Sequence, residues 1–232
     1  VVAGVVGYKS LQNFPVYEPF LKDGAIVDLG DAANLETITA LDPDVIIAWE
    51  DDEKIYDQLS RIATTIMLPQ SENWQDTIGK VAEVIGEEAK AERYIADYND
   101  KLQKLAAKMD ETGMKGKTAI FMMTWGKGFN YYGGLRMVPY YDKLGFSKFK
   151  DMQDWGEISL EGVAAVNPDY IFLGEDFTGT AELTLKELES NSVWNNLNAV
   201  KNNHLYVVDT EIVGPLAMGQ TKGLDVIEGL IK

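Results

Sequence analysis

The segment TWGKGFNYYGGLR, residues 124–136, brings Trp125, Phe129, Tyr131, Tyr132 and Arg136 into one short stretch. Aromatic rings beside a guanidinium suit a bulky, partly apolar ligand that carries oxygen acceptors. The rings supply apolar contact area, and the planar cation donates paired hydrogen bonds to oxygen. The stretch follows an apolar run at 118–123, so it falls at the C-terminal end of a predicted strand, where ligands gather in open α/β sheets. Its glycines read as a loop, and at least one of its rings is expected to pack the interior instead. Other side chains at element ends are candidate ligand contacts. Tyr8 and Lys9 follow the first strand, Trp49 ends a later one, and Glu175 and Phe177 follow the strand at 170–173. Trp74 precedes a long helix, where it can contact ligand or equally staple the helix start. Trp155 and Trp194 lie beside predicted helix starts and read as structural.

A second constellation is written twice. Residues 34–51, NLETITALDPDVIIAWED, and 159–176, SLEGVAAVNPDYIFLGED, align without gaps and share leucine, glutamate, alanine, proline and aspartate at matching places. Each copy has an N-cap residue (Asn34, Ser159), a carboxylate in the first helical turn (Glu36, Glu161), a proline that stops the helix (Pro43, Pro168) and an apolar strand. Alone, each carboxylate stabilises the helix dipole modestly. Duplicated on equivalent surfaces of two similar lobes, the pair suits docking onto a two-fold partner.

These residues need elements to hold them. Strands are predicted over 1–7, 25–29, 45–49, 65–68, 118–123, 170–173 and 205–208. Helices are predicted over 35–41, 52–62, 138–144, 159–166, 183–188 and 220–231. From 74 to about 109 the apolar residues keep a helical stripe, and at ~1.5 Å per residue such a helix runs about 45–50 Å, a strut rather than a packing helix. Strand and helix alternate, which gives an α/β fold with mostly parallel sheets. The expected division is an N-terminal lobe at 1–73, a connecting helix at 74–113 and a C-terminal lobe at 114–232, whose last helix packs back toward the N-lobe.

Composition removes several function classes. The chain has no cysteine and one histidine, His204, which excludes thiolate chemistry and most imidazole-bound metals. A net charge of −16 opposes nucleic acid or an anionic membrane as partner. The acidic run at 50–53 lacks the spaced oxygens and turn glycine of a calcium loop. No serine–histidine–aspartate arrangement or phosphate loop is present, so an enzyme is not expected. The opening VVAGVVG reads as a strand already under way, as if the chain were cut inside a domain.

The repeated (N/S)-L-E-x-x-x-x-(L/V)-x-P-D, the long helix between the copies and the late segment VWNNLNAVKNNHLYVVD at 193–209 together resemble the class III periplasmic-type substrate-binding proteins. These are receptors of ATP-driven importers for iron–siderophores and cobalamin. The resemblance covers essentially the whole chain, except that family members begin with a further strand and helix before the position of Val1. It implies two small lobes joined by one rigid helix, a ligand cleft between the lobes and little lobe closure. It also implies a monomer exported and lipid-tethered at the outer face of the cytoplasmic membrane, or periplasmic where an outer membrane exists. In such proteins one glutamate per lobe pairs with arginines of an ABC permease dimer, and the matching positions are Glu36 and Glu161. An arginine and a tyrosine of the aromatic segment contact the chelating oxygens, which matches Arg136 and either Tyr131 or Tyr132.

Charge narrows the implied ligand. Arg61 and Arg93 fall on helices, leaving Arg136 as the cleft guanidinium. An anionic ferric tris-catecholate or citrate complex needs several cations, because unpaired buried charge is costly. A near-neutral ferric hydroxamate needs aromatic walls and one or two donors. The expected ligand is therefore an Fe(III)–hydroxamate siderophore, with the siderophore rather than the protein ligating the iron and no cofactor. Mixed citrate–hydroxamates, catecholates, cobalamin and haem are the alternatives within the binding class, and an α/β enzyme or sensor domain the alternative outside it.

Overall fold

The computed structural model describes the chain apart from Asp23, residues 70–72, residues 176–180, Glu182 and Lys232; of residues 51–53 only the backbone is described. The chain divides into two compact units, Val1–Arg93 and Tyr94–Lys232.

In the first unit, strands β1 (Gly4–Val5) and β2 (Val27–Asp28) pair in parallel, with the short helices α1 (Tyr8–Leu11) and α2 (Glu18–Leu21) between them in sequence. The predicted strand at 1–7 is cut to two residues because Gly7, at φ +73, turns the chain directly into α1. Helix α3 (Leu35–Ala40) forms where the spacing predicts it. The Asn34 side chain accepts from the Thr37 N–H at 3.0 Å, and Asp42 at φ +47 ahead of Pro43 ends the helical run. Strand β3 (Val45–Trp49) pairs in parallel with β4 (Thr64–Leu68). The helix predicted over 52–62 is instead a 3-10 turn, Glu50–Ile55, followed by the single-turn α4 (Tyr56–Leu59). Ile38, Ala48 and Leu59 form the buried centre of this unit.

The helix predicted from 74 to about 109 is two helices, α5 (Trp74–Ile85) and α6 (Glu88–Thr112). Gly86 at φ +70 caps α5, its N–H bonded to the Ala82 carbonyl, in a conformation that only glycine takes cheaply. The 25 residues of α6 span about 37 Å and carry the chain from the first unit into the second.

The second unit is built on a five-stranded sheet of β5 (Ala119–Trp125), β6 (Gly128–Tyr132), β7 (Trp155–Ile158), β8 (Tyr170–Gly174) and β9 (Leu205–Val207), in the order β7-β6-β5-β8-β9. β8 pairs in parallel with β5 and β9, whereas β6 pairs antiparallel with β5 and β7. This sheet is mixed, whereas both strand pairs of the first unit are parallel. β5 is buried from Ala119 to Thr124, as its unbroken apolar run requires of a strand covered on both faces. One face carries Ile120, Met122, Phe129, Tyr131, Ile171 and Leu173. They pack against Val163 of α7 (Leu160–Val166) and Trp194 of α9 (Ser192–Asn195), which follows α8 (Leu185–Ser190) and precedes α10 (Asn198–Lys201). On the other face Phe121 stacks on Phe172 at 4.4 Å, with Tyr140 and Phe146 against the same ring. Helix α11 (Ala217–Leu230) is tied to α6 by Tyr94–Thr221 at 2.8 Å and by ion pairs of Lys101 with Asp225 and Glu228. Among the described residues no helix is long and apolar enough to cross a membrane.

Candidate functional site

The aromatic segment expected to be a loop is a β-hairpin. β5 and β6 pair from Met122–Tyr131 to Trp125–Gly128, and the chain reverses at Gly126, which takes φ +51, and Lys127. Pleating then sorts the rings by parity. Phe129 and Tyr131 point into the core and are 1% and 7% exposed. Phe129 stacks on Trp194 with centroids 5.7 Å apart, and Tyr131 meets the Phe149 ring edge-on at 5.1 Å. Both rings, named as candidate ligand contacts, pack in the core, because a strand imposes an alternation that a loop does not.

Trp125 and Tyr132 share the opposite face, and both are half-buried. The Tyr132 hydroxyl donates to Met123 Sδ at 3.1 Å. Arg136 lies in the 3-10 turn Leu135–Met137, its guanidinium carbon 5.9 Å from the centre of the Tyr132 ring. Such a cation–π contact is worth about 0.5–1 kcal/mol near solvent. The antiparallel register sets Tyr132 opposite Trp155, the first residue of edge strand β7, so the two side chains emerge on one face as neighbours.

Trp155 was expected to be structural; it is instead 67% exposed. It opens β7, WGEI, a short strand whose exposure alternates and which pairs with β6. Two glycines bind this strand to the arginine turn. The N–H groups of Gly133 and Gly134 both donate to the Asp154 carbonyl, at 2.8 and 2.9 Å. A Cβ on Gly133 would lie 2.5 Å from the Gln153 carbonyl oxygen, so only glycine allows this approach.

The other predicted contacts fall in separate places. In the first unit Trp49 is exposed at the end of β3, Lys9 is exposed on α1, and Tyr8 is half-buried with its hydroxyl donating to the Leu21 carbonyl at 3.2 Å. Trp74 is the first residue of α5 and is buried, 6% exposed. In the second unit Glu175 is exposed just after β8, and Phe177 lies outside the described residues.

Glu36 and Glu161 occupy equivalent first-turn positions on α3 and α7, and both are exposed. The cap on α7 is Ser159, whose Oγ accepts from the Gly162 N–H at 3.2 Å. The backbone N–H of Glu161, and then the Ser159 hydroxyl, hold the Glu161 carboxyl below the usual carboxylate range.

The periplasmic binding protein family model matches residues 1–212. The chain belongs to that family. Among relatives of this periplasmic binding protein in Bacillus subtilis (strain 168), the iron-uptake system-binding protein is 32% identical over 81% of the chain and 61% of its own length. The iron(3+)-hydroxamate-binding protein YxeB is 29% identical over 100% of the chain and 75% of its own length. YhfQ, provisionally named an ABC transporter substrate-binding lipoprotein, is 31% identical over 77% of the chain and 60% of its own length. The chain thus spans less than two thirds of the first of these relatives. The crystal structure of the iron-uptake system-binding protein, FeuA, superposes with a TM-score of 0.83 at 25% identity, covering 100% of this chain and 94% of that one. FeuA has also been solved with ferri-bacillibactin, as a triscatecholate siderophore binding protein; that structure gives a TM-score of 0.78 at 28% identity, covering 99% and 84%. The family is one of binding proteins, not of enzymes.

Proposed function

We propose that this chain is the ligand-binding part of an extracytoplasmic receptor that takes a ferric hydroxamate siderophore and delivers it to an ABC permease for iron uptake. The observation that carries the reading is the Arg136 guanidinium set over the half-buried Tyr132, on the face of the hairpin opposite Phe129 and Tyr131, in a chain of this family. The relatives' names divide between hydroxamate and triscatecholate ligands, so the choice rests on this chain's own charges. Lys148 is already engaged, its Nζ 2.6 Å from the Gly133 carbonyl oxygen and above the Tyr141 ring. One guanidinium among aromatic rings suits a near-neutral ferric hydroxamate better than a multiply charged catecholate. Iron travels as cargo inside its chelator; among the described residues no three carboxylate or imidazole groups are clustered to hold a metal ion.

Glu36 and Glu161 are proposed to meet two arginine-bearing surfaces of a permease dimer, one from each unit. Their exposure and matching positions support this role. Export and lipid tethering at the outer face of the cytoplasmic membrane follow from the same reading, supported by the lipoprotein among the relatives.

The test is a tryptophan-fluorescence titration of the purified protein against ferrioxamine B, ferrichrome, a ferric tris-catecholate, ferric citrate, haem and cobalamin. Saturable quenching by the ferric hydroxamates at the lowest concentrations is expected. Preferential quenching by the catecholate overturns the ligand class, and no quenching by any chelate overturns the receptor reading.

A further inference from the structure

Trp155 has no place in the packing argument for the second unit. The core on one face of the sheet is supplied by Phe129, Tyr131 and Trp194, and that on the other by Phe121 and Phe172. A single exposed apolar side chain is normal and by itself means nothing. Nor is an indole a device for protecting a sheet edge, a task given to charged residues and proline. What distinguishes Trp155 is the company in which it is held. Register places it beside Tyr132, and Tyr132 carries the Arg136 guanidinium on its ring. The paired N–H bonds of Gly133 and Gly134 to the Asp154 carbonyl fix the arginine turn to the residue immediately before Trp155. Gly133 is needed, since a Cβ there would lie 2.5 Å from the Gln153 carbonyl oxygen, and a Cβ on Gly134 would be tight at 3.0 Å from the Asp154 Cβ. The backbone at Trp155, at Tyr132 and in the Arg136 turn is therefore held together by contacts that a flexible surface loop would not make.

We propose that Trp155 is a ligand-contacting residue of this site, the outer wall of a shelf in which Tyr132 is the floor and Arg136 the donor. Its indole covers the apolar methylene spacers and flat hydroxamate groups of the ferric chelate, while Arg136 meets the chelating oxygens. The inference rests on the receptor reading above and deepens it by adding the residue that selects for a ligand with an extended apolar flank.

The test compares the wild-type protein with Trp155→Ala and Trp155→Phe, each titrated with ferrioxamine B and with ferrichrome. Thermal unfolding serves as the folding control, and an exposed position predicts little change there. Trp155→Ala is expected to weaken binding about tenfold or more, in line with burial of a large aromatic face. Trp155→Phe is expected to keep affinity within about threefold, by retaining an aromatic wall, and to lose much of the quenching amplitude, by removing the indole nearest the iron. Wild-type quenching that Trp155→Ala leaves unchanged in midpoint and amplitude would overturn this inference and leave the receptor reading standing. Absence of quenching in the wild type would overturn both.

Discussion

The guanidinium carbon of Arg136 stands 5.9 Å from the centre of the Tyr132 ring, on the face of the hairpin opposite Phe129 and Tyr131. In the proposed site the planar guanidinium donates to ligand oxygens. A hydrogen bond from a charged donor contributes about 1.5–3 kcal/mol. Arg136→Ala is therefore expected to weaken ferric hydroxamate binding about tenfold to a hundredfold in a fluorescence titration. Arg136→Lys keeps the charge and loses the planar fork, so it should recover only part of the loss. Unchanged affinity in both variants would remove Arg136 from the site.

Phe129 answers the opposite question. It lies three residues from Tyr132 in the same hairpin, yet it stacks on Trp194 and is 1% exposed. Truncating such a ring costs about 3–5 kcal/mol through lost burial and the cavity left behind. Phe129→Ala should lower the thermal midpoint by many degrees, while the protein that remains folded at low temperature binds ligand as the wild type does. A variant of wild-type stability with impaired binding would return Phe129 to the ligand site.

The contrast between these residues shows where the sequence was readable. The duplicated helix starts were legible because capping chemistry is local: Asn34 and Ser159 accept from the backbone three residues on, wherever the helix sits in the fold. Strands β3 and β8 were legible because an apolar run after a helix-stopping proline has few alternatives. The hairpin was not, because its glycines mimic a loop and only the pairing of Tyr131 with Met122 reveals the parity of the rings. Trp155 was hidden for the same reason, since its neighbour Tyr132 is distant in sequence and reached only through the register. The break at Gly86 was not legible, because nothing local distinguishes a tolerated helix glycine from one at φ +70.

The α7 cap carries a pH signature. The Glu161 backbone N–H and the Ser159 hydroxyl favour the ionised carboxylate, so its folded-state pKa lies below the ordinary 4.5. A depressed carboxylate pKa adds stability that is complete above the unfolded-state value and is lost as pH falls through the lower folded-state value. Ser159→Ala removes the smaller of the two causes. The Glu161 carboxyl should then titrate closer to 4.5, without reaching it, in a carboxyl carbon NMR titration. A Glu161 curve that Ser159→Ala leaves unmoved would show that the hydroxyl does not hold the carboxylate.

Glu36 and Glu161 separate docking from binding. Both project from first turns of equivalent helices, neither belongs to the hairpin face, and each is exposed. If they meet a two-fold permease, losing one carboxylate removes half of a paired contact and losing both removes all of it. In cells made to depend on this protein for iron uptake, the proposed docking role predicts that Glu36→Ala or Glu161→Ala alone slows radiolabelled iron entry several-fold and that the double variant abolishes it. The purified double variant should quench with ferrioxamine B at the wild-type midpoint, because no contact to Tyr132, Trp155 or Arg136 has changed. Wild-type uptake by the double variant would dismiss the docking role. Loss of ligand affinity would instead place these carboxylates in the binding site, where their exposure and distance in sequence from the hairpin give them no part.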